Sequence, residues 1–376
     1  MKKNQLTLNQ VKKFLLIKGL MITEKNKKNF TRNNLKSFYL TFLCSFGIIL
    51  FFFILPIIFE LKQNIIFASK EIQNNSKTNF KKVLNGERLE KLLKADDEVD
   101  LKNLFEDIDK LDELPNDIIR LSAPVIEQLF KDTNYNLENV RKTKLVKPIS
   151  LSLLPIEMNK IESSKKRKNL FIQIILPLIL DENNKIKLDR KKLFSILNKN
   201  NNSELEKKWL NEKFKQYGVF NKDLSTLKIR MDEIPTSLAI AQAAKETGWG
   251  TSRFALEGNA LFGQWTWSEE GMKPAAADNN TTHKVMKFNI LKASIRAYQR
   301  NLNTHSGYKQ FRKARAVLRD NKSELNSLIL ANYLKNYAET GIQYIVILKK
   351  IIKQNNLTDF DDVKLQPSSI ELKSLI

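Results

Sequence analysis

A chain of 376 residues with 42% hydrophobic content is long enough for one sizeable core with appendages and too apolar to be disordered throughout. Its 64 Lys and Arg against 41 Asp and Glu give a formal charge of +23, which favours polyanionic surroundings such as nucleic acid, anionic lipid or a cell-wall polymer. Cys44 is the single cysteine, which excludes an intrachain disulfide, and His283 and His305 are too few for a histidine-built metal centre, so neither metal nor cofactor is expected.

Residues 1–36 form a basic segment with ten Lys or Arg and one acidic residue, Glu24. The next 23 residues, 37–59, carry no charge and are long enough to cross roughly 30 Å of hydrocarbon as a helix. Leu55, Pro56, Ile57, Ile58 and Phe59 offer no small-residue cleavage site, so the expectation is one transmembrane helix rather than a cleaved signal. The basic flank places the N-terminus in the cytoplasm and everything after residue 59 on the periplasmic side of the inner membrane. In 60–145 Leu89, Leu92, Leu93, Leu101, Leu104, Ile108 and Leu111 recur at spacings near three and four among many acidic residues, which predicts a helical stalk or spacer.

From 146 to 352 the pattern predicts a mainly helical domain. The apolar run 170–180 is too short, and too interrupted by Pro177, to span a membrane, and reads as a buried helix. Amphipathic pattern continues through Leu188, Leu193, Phe194, Trp209, Leu210 and Phe214, and the one plausible β-hairpin falls between residues 263 and 288. Residues 353–376, with Pro367, Ser368 and Ser369, read as a loose tail.

The stretch 234–267 is the one the domain is organised around. Pro235 suits a first helical turn and Gly248 a helix exit, and between them Ala239, Ala243 and Ala244 allow another element to approach closely. Glu246 stands in the last turn, at the negative end of the helix dipole, and burial beside Trp249 would also disfavour its ionisation. A carboxyl kept neutral near pH 7 is what a general acid for glycosidic cleavage requires, whereas an arbitrary helix glutamate is solvent-exposed. Trp265 and Trp267 alternate on a short extended segment, with both rings expected on one face.

The run Ala241-Gln-Ala-Ala-Lys-Glu-Thr-Gly-Trp-Gly250, continued by Glu257-Gly-Asn-Ala-Leu-Phe-Gly-Gln-Trp265, closely resembles the glucosaminidase domain of Bax-type bacterial proteins, related to glycoside hydrolase family seventy-three. The segments 175–180, 296–305 and 337–344 fit the same resemblance. It implies a lysozyme-like helical domain with a small β-lobe, acting as an endo-β-N-acetylglucosaminidase on the glycan strands of peptidoglycan. A muramidase or lytic transglycosylase on the same fold, or a non-catalytic glycan-binding protein, are the alternatives. Glu246 matches the catalytic acid of that family and Tyr337 a cleft tyrosine. Trp249, Asn259, Phe262, Gln264, Trp265 and Trp267 become candidate glycan contacts, and Glu270 or Asp278 candidates to orient the substrate acetamido group or activate water. Asn303 and His305 read as structural, and no nucleic-acid motif accompanies the positive charge.

Overall fold

The computed structural model describes residues 107–108, 118–266, 271–273 and 284–367, all within one compact unit, Asn75–Ile376. In chain order the helices are α1 (Ala123–Asp132), α2 (Leu137–Thr143), α3 (Ser164–Leu197), α4 (Glu204–Gln216), α5 (Leu224–Arg230), α6 (Thr236–Thr247), α7 (Arg253–Gly258), α8 (Leu291–Thr304), α9 (Lys309–Asp320), α10 (Ser327–Leu330) and α11 (Ile342–Gln354). Four short strands complete the described structure: β1 (Leu145–Val146), β2 (Trp265–Thr266), β3 (Lys284–Val285) and β4 (Lys364–Leu365). The domain is mainly helical, and β2 pairs antiparallel with β3 inside the 263–288 window expected for a hairpin.

The apolar run 170–180 is buried as expected, but it is the middle of α3, which continues without a break through the polar residues that follow. Pro177 sits inside that helix, where it removes one backbone hydrogen bond at a cost of about 3 kcal/mol. Leu170, Phe171, Ile174, Ile175, Leu176, Leu178 and Ile179 are all buried around it, and each full apolar burial contributes about 1.5–3 kcal/mol. Packing on all sides therefore outweighs the defect.

Helix α6 is the centre of the domain. Every side chain from Thr236 to Ala244 is buried, and the helix packs against α3, α11 and the 3-10 turn Leu357–Phe360. A backbone donor in its first turn, left without an intrahelical partner, is met from far away in sequence. Asp361 accepts from the Ser237 backbone N–H at 2.8 Å and from its hydroxyl at 2.7 Å. At the other end Gly248 closes the helix in the left-handed conformation, and the Thr247 hydroxyl accepts from the Gly250 N–H at 2.9 Å.

Two expected boundaries move. The stretch 60–145 was expected as a spacer, yet α1 and α2 bury Ala123, Ile126, Phe130, Tyr135, Leu137 and Val140 in the main core. Tyr135 and Gln173 exchange hydrogen bonds at 3.1 and 2.8 Å, tying this part to α3. Asp107 lies against α8, with Arg300 donating to both of its carboxylate oxygens at 3.0 Å. The tail expected from 353 is likewise packed: Leu357, Phe360 and Val363 are buried, and β4 pairs in parallel with β1. Both misreadings have one cause, since long-range pairing leaves no local signal in a short amphipathic segment. Residues 1–106, including the segment 37–59, lie outside the described residues; among the described residues no helix is long and apolar enough to cross a membrane.

Candidate active site

Glu246 stands in the last turn of α6, partly buried like Lys245 beside it, after a run of fully buried residues that ends at Ala244. Its Oε1 is buried without a hydrogen-bond partner, and its Oε2 lies 3.5 Å from where a side chain on Gly263 would begin. Gly263 has a positive φ of 62°, so a larger residue there would be strained as well as crowded against the carboxyl. Burial raises the carboxyl pKa above its ordinary value; the nearby Tyr344 hydroxyl and the Lys245 charge act against that rise without cancelling it.

Three tyrosines, Tyr308, Tyr337 and Tyr344, stand close enough to feel the charge of this group, and a fourth, Tyr298, is tied to them through Gln242. Tyr344 on α11 stacks on Tyr337 with ring centroids 5.4 Å apart, and Tyr337 tilts against Tyr308 at 5.8 Å. Tyr298 on α8 donates to Gln242 Oε1 at 2.7 Å, and Gln242 Nε2 donates to the Tyr344 hydroxyl at 3.1 Å. Burial pushes all four phenols up, Tyr308 to about 12, with the Glu246 charge adding to the rise at Tyr308, Tyr337 and Tyr344. They remain neutral hydrogen-bonding groups at physiological pH.

Tyr337 is thus brought beside the Glu246 site, but its hydroxyl donates to the Phe262 carbonyl at 2.9 Å. The loop that follows α7 is fixed by similar ties. Asn259, in the left-handed conformation, donates to the carbonyls of Phe288 and Asn289 at 2.8 and 3.1 Å, and the Leu261 N–H donates to Ser294 at 3.0 Å. Phe262 stacks on Tyr298 with centroids 3.8 Å apart. Asn259 and Phe262, expected as glycan contacts, are only 3% and 1% exposed, so their side chains present no surface to a sugar and support the loop instead. Gln264 is buried with Oε1 unpartnered.

Trp249 has a φ of 63° between two glycines, and its ring packs edge-on to Phe171 at 6.0 Å with the Lys168 ammonium 5.0 Å from its centroid. It is pinned to α3, and Gly250 has to be glycine because a Cβ there would meet Phe171 at 2.8 Å. Trp265 contributes backbone to β2; Trp267, Glu270 and Asp278 lie outside the described residues. Asn303 donates to the Asp232 carbonyl at 2.9 Å and accepts from Arg315 at 2.7 Å, and His305 Nδ1 accepts from the Gly307 N–H at 3.1 Å, so both close loops.

Sequence reasoning passed over Gln242, Tyr298, Tyr308 and Tyr344. One signal was available: Gln242 precedes Glu246 by one helical turn and therefore shares its face. The tyrosines come from three other segments, and nothing in the local sequence separates them from core aromatics.

Residues 224–357 match a family described as glucosaminidase, mannosyl-glycoprotein endo-beta-N-acetylglucosaminidase, which makes this a domain of a glycan-cleaving hydrolase family. The chain is also 35% identical over 202 residues to "Protein bax" of Escherichia coli (strain K12), an alignment covering 51% of this chain and 71% of that protein. The chain therefore belongs to the Bax-type glucosaminidase-domain proteins. No solved structure matches it.

Proposed function

We propose that this protein is an endo-β-N-acetylglucosaminidase of peptidoglycan, with Glu246 as the general acid. The observation that carries the reading is the state of that carboxyl: desolvated, raised in pKa, and with Oε1 unpartnered. Burial that disfavours the carboxylate favours the protonated form from which a general acid gives its proton to the leaving glycosidic oxygen. Tyr337 lines the same site and holds the loop that carries Gly263 against the acid. The hairpin following α7 fits a lysozyme-like arrangement, in which the β-lobe faces the acid across the cleft. Trp265 opens that hairpin, and of the residues that follow it in sequence Trp267 is a candidate glycan contact, with Glu270 or Asp278 candidates to orient the substrate acetamido group or activate water. The uncharged stretch 37–59 behind a basic segment supports anchoring in the inner membrane with the domain in the periplasm, where the strands are.

Purified sacculi test the assignment. Glu246→Gln should lower release of reducing ends by about 10²–10⁴-fold while unfolding remains cooperative. Mass spectrometry of the parent's products should show reducing-end N-acetylglucosamine; reducing-end muramic acid would make it a muramidase and anhydromuramic products a lytic transglycosylase. Undiminished cleavage by the variant would remove Glu246 from the chemistry, and sacculus binding without any product from the parent would make the protein a glycan binder.

A further inference from the structure

The C-terminal third of α3 and the whole of α4 fold back on one another as a helical hairpin, held by the ion pairs of Lys213 with Asp189 and of Lys199 with Glu206. With α5 it encloses a small core of its own around Leu193, Phe214, Tyr217, Leu227 and Met231. Between residues 185 and 228 this lobe carries twelve Lys and Arg against five Asp and Glu, a large share of the charge of the whole chain. Among the described residues it also holds five exposed large apolar side chains, Leu188, Leu197, Leu205, Phe220 and Leu224, with Leu205 80% exposed. The two features interleave. Leu188 stands one turn from Lys191 and Lys192 on α3, and Leu205 one turn from Lys208 and Trp209 on α4. The Trp209 ring has the Lys192 and Lys213 ammonium groups 4.8 and 5.6 Å from its centroid, and Phe194 has Arg190 and Lys228 at 5.2 and 5.6 Å. None of the residues placed at the candidate active site comes from this lobe.

We propose that the α3–α4 hairpin is a membrane-surface element, which rests on a bilayer containing anionic lipid. Leucine has no π-face to stack on a sugar or a base, so exposed leucines set among lysines suit hydrocarbon better than a glycan or a nucleic acid. Lysine can lay its stem along apolar surface while its ammonium reaches a lipid phosphate, and tryptophan favours the level of the head groups. The acids of the lobe do not offset this, since Asp189, Glu204 and Glu206 are paired with Lys213, Lys207 and Lys199, and Asp223 caps α5. Apolar side chains and basic charge together are what helices lying on a membrane use. The lobe is tied to the chain just ahead of α6, where Arg190 donates to the Met231 carbonyl and Asn183 to that of Ile234, both at 2.8 Å. Glu246 stands at the other end of α6, about 15 Å along the axis from its first residue. Contact through the hairpin therefore leaves the acid end of the helix clear of the bilayer.

The full chain serves for the test, with Cys44→Ser and one new cysteine bearing an environment-sensitive fluorophore. Leu205→Cys and Phe220→Cys label the lobe, and Val346→Cys, exposed on α11, is the comparison. In vesicles of phosphatidylcholine mixed with phosphatidylglycerol, the two lobe labels should shift to the blue and become shielded from acrylamide, while the Val346 label should not. Phosphatidylcholine alone, or high salt, should abolish the shielding, because both remove the attraction between lysines and head groups. The triple variant Lys191→Glu, Lys208→Glu, Lys215→Glu alters three exposed lysines and should abolish it as well, with the circular dichroism of the parent retained. The lipid and salt comparisons need no change to the lysines, so a misfolded variant leaves the test intact. Lobe labels equally open in both kinds of vesicle would overturn the proposal. Equal shielding of Val346 would do the same, since it marks adsorption without a preferred face, and shielding by purified sacculi but not by vesicles would give the face to the wall polymer. No cleavage enters these readouts, so they stand whether or not the domain proves to be a hydrolase.

Discussion

At Glu246 the demands of catalysis and of stability oppose one another. Burial is the main reason its pKa is raised, and Tyr344 and Lys245 only moderate the effect. Because the folded value lies above the unfolded one, the fold favours the protonated carboxyl. That contribution is whole at acid pH and is lost as pH rises through the raised folded value. Glu246→Gln is neutral throughout, so it should be more stable than the parent at pH 8 by about 0.5–2 kcal/mol, in line with other exchanges of activity for stability. The two proteins should converge near pH 4. Denaturant titrations at both pH values measure this, and a variant less stable at pH 8 would show that the carboxylate is better accommodated than its burial implies. Trp249 carries a related strain, since a non-glycine residue held left-handed costs about 1–2 kcal/mol, offset here by Phe171 and Lys168.

For the helix that carries the acid, the ends matter more than the middle. Pro235 and Gly248 made its span legible, and the structure differs by one position, with Pro235 the residue before the first turn. What fixes it in space was not legible, because the partners are remote. Asp361 reaches Ser237 across 124 residues. Burial raises Asp361 to about 6, so its contribution is largest at acid pH and is lost as pH rises through about 6. Ahead of α6, Asp232 receives Arg319 at 2.9 and 3.2 Å, while buried Arg315 donates to the carbonyls of Asp232, Glu233 and Ile229 at 3.0–3.1 Å. Burial pushes Asp232 up, but Arg315, Arg190 and Arg319 outweigh it and hold the carboxyl below its usual range. Asp232→Ala should cost about 3–5 kcal/mol at pH 7, since it strands Arg315 in the interior, and Asp361→Ala only about 1 kcal/mol. Denaturant unfolding of the two variants side by side checks the order; equal costs would mean that water reaches Arg315.

On the scale of the molecule, helices whose apolar faces repeat locally were legible, and the closure of the chain upon itself was not. β1 and β4 are two residues each, too short to announce themselves, yet they pair across more than two hundred residues, with the Lys364 N–H donating to Lys144 O and the Gln366 N–H to Val146 O at 2.9 and 2.8 Å. Arg141 meets Asp359 at 3.1 Å beside the same junction, and its guanidinium covers the Phe360 ring. The segment before residue 146 and the segment after 353 therefore complete each other against α3 and α6. A chain beginning at 146, where the sequence pattern set the domain boundary, would lose six buried apolar residues from α1, α2 and their connection, together with the partner of β4. At about 1.5–3 kcal/mol for each large side chain, the loss approaches the whole stability of an ordinary domain, 5–15 kcal/mol. Such a fragment should melt without a cooperative transition by circular dichroism, whereas one beginning at 100, which keeps Asp107 on Arg300, should melt as the intact domain does. A cooperative transition in the shorter fragment would mean that α1 and α2 cover a core already complete without them, and the acid-bearing helix would then owe its position to α3 and α11 alone.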